Sequence, residues 1–132
     1  MIKNASRRTF LRQSVVGAVT LQQAAIRASD RPNEKLVVGL ICCGGRGVHD
    51  AGLFRKIPNV EVAWVCDVDE ARRLEAAKNL GVESRNAVGD MRRILDEKSV
   101  DIVIVATPDH WHSPASILAC DAGKHVYVEK PI

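Results

Sequence analysis

Leu36-Val37-Val38-Gly39-Leu40-Ile41-Cys42-Cys43-Gly44-Gly45-Arg46-Gly47 is the stretch that decides the fold. A near-continuous aliphatic run of strand length, Leu36 to Cys42, enters a cluster of glycines and leaves it into Val48 to Ile57, which reads as a helix. A strand without polar alternation is one covered on both faces. The pattern then recurs: Val60 to Cys66 and Asp101 to Ala106 read as strands, and Glu70 to Leu80 and Met91 to Glu97 as helices, with apolar residues three or four apart such as Met91, Ile94 and Leu95. A fourth helix is predicted with Ser113 as N-cap, Pro114 in the first turn, Ala115, Leu118, Ala119 and Ala122 on one face, and Gly123 past its end. His125 to Val128 is a fifth strand, and a weak one is placed near Arg85 to Val88 because two helices need a connection between them. Such β-α-β alternation implies a parallel sheet with right-handed crossovers, hence an α/β doubly wound fold of about five strands.

The composition is that of a soluble globular domain: 132 residues, 46% apolar and 27% charged, a size for which one domain is expected. The formal net charge of +3 is unevenly placed. Residues 1–28 hold Lys3, Arg7, Arg8, Arg12 and Arg27 and no acid, which leaves 14 bases against 16 acids in residues 29–132. The body is thus slightly acidic, which argues against nucleic acid as a partner. Ser6-Arg7-Arg8-Thr9-Phe10-Leu11-Arg12 precedes a mildly apolar run, Ser14 to Leu21, far shorter than the ~20 residues needed to cross a bilayer. This start resembles a bacterial twin-arginine export signal. The resemblance implies residues 1–28 as a leader, the twin-arginine translocation machinery as a partner, and a periplasmic protein exported after folding. Cys42 and Cys43 are adjacent, Cys66 and Cys120 sit in apolar runs, and no C-x-x-C spacing exists, so all four read as small buried hydrophobes.

Set against G-x-G-x-x-G, Gly44 and Gly47 match the second and third glycines, while Cys42 stands where the first should be. The first glycine makes the tight turn, the second lets backbone approach a pyrophosphate, and the third lets helix and strand pack closely. A Cβ at residue 42 strains that turn or shifts it. Alone, these glycines fit a tight turn without a ligand nearly as well. Asp67 changes the balance, because it lies 20 residues beyond Gly47 at the end of the second strand, where a carboxylate bonds the adenosine ribose of a dinucleotide. A carboxylate there repels a 2′-phosphate, which favours NAD, while Arg46, Arg72 and Arg73 leave NADP open. Asp67 could instead cap the helix starting near Glu70, a role for which Asp69 is better placed.

Two further motifs follow, Thr107-Pro108-Asp109-His110-Trp111-His112 after the fourth strand and Glu129-Lys130-Pro131 after the fifth. Together with Gly44 to Gly47, Cys66 to Asp69 and Ala122 to Val128, they make residues 35–132 similar to the N-terminal half of the glucose-fructose oxidoreductase, inositol dehydrogenase and rhizopine catabolism (GFO/IDH/MocA) family. The resemblance implies a Rossmann domain binding NAD, with NADP as an alternative. It implies Gly44, Gly45, Arg46 and Gly47 as the pyrophosphate loop, Asp67 as the adenosine ribose ligand, Thr107, Pro108 and His112 as the wall beside the nicotinamide ribose, and Glu129 as the residue bonding that ribose. Lys130 resembles the family's active-site lysine; partly desolvated beside an oxidised nicotinamide, it moves toward a usable acid or base. His110, His112 and Asp109 find no further ligand at a recognisable metal spacing, so no metal is expected.

The family continues into a second domain that supplies the substrate pocket and often the oligomer interface, neither of which these residues contain. The expected function is therefore the NAD-binding part of an exported oxidoreductase acting on a sugar, cyclitol or related polyol, homo-oligomeric in a longer form and inactive as this chain alone. The alternative is a non-catalytic nucleotide-binding module that needs a separate substrate domain.

Overall fold

Between Leu36 and Ile41 the chain forms β1, whose last four residues are buried as a strand covered on both faces must be. The computed structural model describes residues 35–130, so the expected leader lies outside the described residues. The elements after β1 are α1 (Gly45–Phe54), β2 (Val60–Cys66), α2 (Glu70–Leu80), a short 3-10 turn (Ser84–Asn86), β3 (Ala87–Val88), α3 (Arg92–Leu95), β4 (Ile102–Val105), α4 (Asp109–Asp121) and β5 (His125–Val128). The five strands make one all-parallel sheet in the order β3-β2-β1-β4-β5.

Two apolar layers sandwich the sheet. Val38, Leu40, Val65 and Ile104 pack with Ala51 of α1 and Ala76, Ala77 and Leu80 of α2. On the other side Ile41, Val103 and Val105 pack with Ile94 and Leu95 of α3 and Ala115 and Ala119 of α4. The alternation along β1 and β4 sends successive side chains to opposite layers. Each fully buried aliphatic such as Leu40, Ile94 or Ile104 stabilises the fold by roughly 1.5–3 kcal/mol. Asp101 fastens the sheet at its lower end, where its Oδ2 accepts the Val37 N–H at 2.8 Å.

Several boundaries differ from the sequence reading. Helix α4 starts at Asp109, so Ser113 is not its cap and Pro114 lies inside it. The start belongs to Pro108, whose φ of −58° is already helical while its ψ of 151° is still extended, and whose carbonyl accepts the Trp111 N–H at 2.8 Å. Along α4, Ala115 and Ala119 face inward, which turns Leu118 and Cys120 out; both are exposed, against the expectation that they are buried. Cys42 is only half-buried, whereas Cys43 and Cys66 are buried as expected. Helix α1 begins three residues earlier than read, at the second glycine of the loop, and α3 is a single turn. Asp69 does cap α2, its Oδ1 accepting the Arg72 N–H at 3.1 Å.

Candidate functional site

The strand order sets the place of the site. The chain builds outward from β1 to β2 and β3, then returns to lay β4 on the other side of β1. Loops leaving β1 and β4 diverge there, opening a crevice beyond the carboxyl ends of the strands. A cavity of about 700 Å³ fills it, lined by Ile41, Cys42, Asp67, Thr107, Pro108 and Trp111, with Gly89 to Arg92 closing the far side.

Cys42, at the position of the first fingerprint glycine, holds a φ of +75°, in the left-handed region, while its N–H donates to the Cys66 carbonyl at 2.8 Å. Gly47 behaves as the third glycine should. A Cβ there would lie 2.3 Å from the Cys42 carbonyl oxygen and 3.0 Å from the Ala106 Cβ, so only hydrogen lets α1 sit against the strand ends. Gly44 and Gly45 face open space, with nothing within 4 Å of a Cβ on either. Gly44 is also the N-cap of α1 and has no side chain to bond the first-turn N–H groups. An uncapped helix N-terminus bordered by space that a Cβ would fill suits a phosphate.

Asp67 is buried at the end of β2. Its Oδ2 accepts the Cys43 N–H at 2.8 Å and its Oδ1 the Asp69 N–H at 2.9 Å. It therefore braces the glycine loop against β2, and a carboxylate with about four lone-pair sites keeps acceptor capacity toward the cleft it lines. Those residues fit a dinucleotide: donors for phosphate, an acceptor for ribose hydroxyls, and a roomy crevice between them. The same carboxylate pushes the buried Cys43 and Cys66 thiols up, after burial itself, to about 12. Neither is a nucleophile at neutral pH.

The remaining expected residues gather elsewhere around the strand ends. His112 is 3% exposed and does not line the cleft; its Nδ1 meets Thr107 Oγ1 at 3.0 Å, and its Nε2 is buried without a protein partner. Glu129 is buried at the end of β5, where its Oε1 accepts from Arg46 Nη2 at 3.0 Å and from the Tyr127 hydroxyl at 3.3 Å. The guanidinium holds the Glu129 carboxyl below its usual range. Lys130 is exposed. Asp67, Thr107 and Pro108 thus share the cleft with Cys42, Gly44 to Gly47 follow Cys42 along the chain without lining it, and Arg46 joins the glycine loop to Glu129.

Sequence reasoning passed over three contributors. Asp90 and Arg92 line the cleft as a bonded pair, Arg92 Nη2 lying 2.9 Å from Asp90 Oδ2. Spaced by two across the start of α3, they gave no periodic signal. Asp50 is buried on α1 beside Arg46; a charged residue on the face shared with Gly47, Ala51 and Phe54 was the available sign.

Known proteins share the sequence pattern and the fold. The model of the GFO/IDH/MocA group, described as an oxidoreductase family with an NAD-binding Rossmann fold, matches residues 14–132. Glycosyl hydrolase family 109 protein 2 of Shewanella sp. (strain ANA-3) is 32% identical across 96% of this chain and 33% of its own length. Among solved structures, GenD2 from gentamicin A biosynthesis in complex with NAD is 32% identical with a TM-score of 0.68, covering 74% of this chain and 27% of that one. KijD10, a 3-ketoreductase from Actinomadura kijaniata in complex with NADP, is 27% identical with a TM-score of 0.68, covering 74% and 31%. The apo scyllo-inositol dehydrogenase of Lactobacillus casei is 30% identical with a TM-score of 0.66, covering 75% and 29%. The chain spans about a third of the length of such relatives. It belongs to the GFO/IDH/MocA oxidoreductase family, and residues 35–130 are its NAD(P)-binding Rossmann domain.

Proposed function

We propose that the chain is the dinucleotide-holding part of an exported oxidoreductase acting on a sugar, cyclitol or related polyol, with NAD preferred over NADP. The observation that carries the reading is Asp67, which lines the crevice with acceptor capacity to spare beside an uncapped helix N-terminus. Bound there, the nicotinamide ring would supply the hydride acceptor or donor. The chain would do the rest: N–H groups of the glycine loop bind phosphate, Asp67 holds the adenosine ribose, Thr107 and Pro108 form a wall, Glu129 bonds the second ribose, and Lys130 holds or moves a proton at the substrate oxygen. Preference for NAD is supported by the arginines that would otherwise hold a 2′-phosphate. Arg46 is paired with Asp50 and Glu129, Arg72 with Asp69, and Arg73 with Glu70.

Calorimetric titration with NAD and NADP tests this. Asp67→Ala should weaken NAD more than NADP, since it removes an acceptor in one case and a repulsion in the other; equal weakening removes Asp67 from the ribose site. In a polypeptide carrying this domain together with a substrate domain, Lys130→Ala should abolish most turnover. The Shewanella relative's name supports a second reading of the substrate, as a glycoside. Assays on sugar glycosides against free polyols separate the two. Export through the twin-arginine route rests on Ser6 to Arg12, and Arg7→Lys with Arg8→Lys should keep a folded reporter fused to residues 1–28 in the cytoplasm; unchanged export would sink that part.

A further inference from the structure

Asp50 stands on the inward face of α1, four residues after Arg46, and the functional reading gives it no task. It is 2% exposed. Its Oδ2 accepts no hydrogen bond, although Arg46 Nε approaches to 3.2 Å as an ion pair without hydrogen-bond alignment. Next to it lies Glu129, 9% exposed, whose Oε1 takes Arg46 Nη2 and the Tyr127 hydroxyl. Among the described residues Arg46 and His49 of α1 and Glu129 from the β5 end are the charged and titratable groups that face Asp50, and Tyr127 reaches Glu129 in turn.

One guanidinium between two buried carboxyls leaves a negative charge uncompensated, which favours a proton on the pair. Burial first, and then the neighbouring Glu129 carboxyl, pushes the Asp50 carboxyl up, while Arg46 draws Glu129 down. Of the two carboxyls that Arg46 touches, Asp50 is the one on which burial favours a proton.

We propose that Asp50 is a positioning residue of the dinucleotide site, one that seats Arg46 beside Glu129 and ties the glycine loop to the strand end bearing Lys130. The inference rests on the dinucleotide-binding reading and goes beyond it. Arg46 is the second residue of α1. Its backbone belongs to the anion-binding helix end while its side chain reaches Glu129, so a shift at one end moves the other. With Asp50 protonated the cluster is one cation and one carboxylate, and a pyrophosphate meets a neutral surface. Once Asp50 ionises, the cluster carries an extra negative charge beside the phosphates. A proton on Asp50 thus favours the dinucleotide, and by reciprocity the dinucleotide favours the proton.

The test is NAD calorimetry on the full chain from mildly acid to neutral pH, in two buffers of different ionisation enthalpy, with circular dichroism to confirm folding. The wild type should take up a fraction of a proton on binding and lose affinity as pH rises. Asp50→Asn, which keeps a neutral donor in place, should take up none and bind within about twofold of the wild type's acid-side affinity. Asp50→Ala should bind roughly tenfold more weakly, because Arg46 and Glu129 lose their shared neighbour. Proton uptake by Asp50→Asn equal to the wild type's, or pH-independent affinity in the wild type, overturns the proposal. If Asp50→Ala fails to fold, the Asn variant alone decides. A wild type that binds no NAD under any condition instead overturns the dinucleotide reading, and this inference with it.

Discussion

At the scale of single residues, Cys42 and Gly47 show how the glycine loop is held. Cys42 keeps a φ of +75° that costs an L-residue with a Cβ roughly 1–2 kcal/mol. Cys42→Gly removes that strain but frees the unfolded chain, so a net gain of about 0.5–1 kcal/mol in urea denaturation is expected. Gly47→Ala should do the opposite, because its Cβ meets a backbone carbonyl that cannot swing aside; a loss of about 3 kcal/mol or failure to fold is expected. Gly44→Ala separates binding from stability. Its Cβ meets nothing in the protein, so the denaturation midpoint should hold while NAD affinity falls; a lowered midpoint with unchanged affinity would take phosphate out of that space. The departure at Cys42 was legible in the sequence because the motif assigns each glycine a task. What could not be read was whether the turn would strain or move, since that depends on the Cys66 carbonyl that anchors it. Asp50 was harder still, because its meaning comes from Glu129, 79 positions away, whose arrival beside α1 is a property of the sheet.

Helix starts carry the lesson at the level of elements. Asp69 was legible as the cap of α2 because a cap is a local matter of one side chain and the N–H three residues on. Asp69→Ala should cost about 1 kcal/mol in thermal unfolding. The start of α4 was misread because Ser113-Pro114 carries a stronger local signal than Thr107-Pro108, where the helix begins and where Thr107 reaches forward to a buried His112. Thr107→Val leaves His112 Nδ1 buried beside an Nε2 that already lacks a partner. A loss of roughly 1–3 kcal/mol follows, measured by chemical denaturation. The short β3 was placed only from the need to join two helices, and it is two residues long because Ala87 and Val88 alone pair with β2.

Across the whole molecule, burial of thiols under the loop makes stability depend on alkaline pH. Cys43 and Cys66 rise from 9.0 to about 12, so the folded state holds protons there that the unfolded chain has released. Their stabilising contribution is complete below pH 9.0 and is lost as pH climbs through about 12. Unfolding free energies measured over that window should fall less steeply in Cys43→Ala and Cys66→Ala than in the wild type. At pH 8, a thiol reagent should modify exposed Cys120 in the native chain and reach Cys43 and Cys66 only in urea. The sheet order also governs how the molecule can be made. β1 is the central strand, yet its second neighbour β4 pairs from Ile102 onward, 64 positions after its partner Val38. A nascent chain emerging in sequence order therefore holds β1-β2-β3 as a half-sheet whose inner edge waits, during translation, for a strand still inside the ribosome. Closing so distant a parallel pair is slow, so the rate-limiting act of folding should be the docking of β4, and substitutions at Val103 or Ile104 should slow refolding more than those in β3.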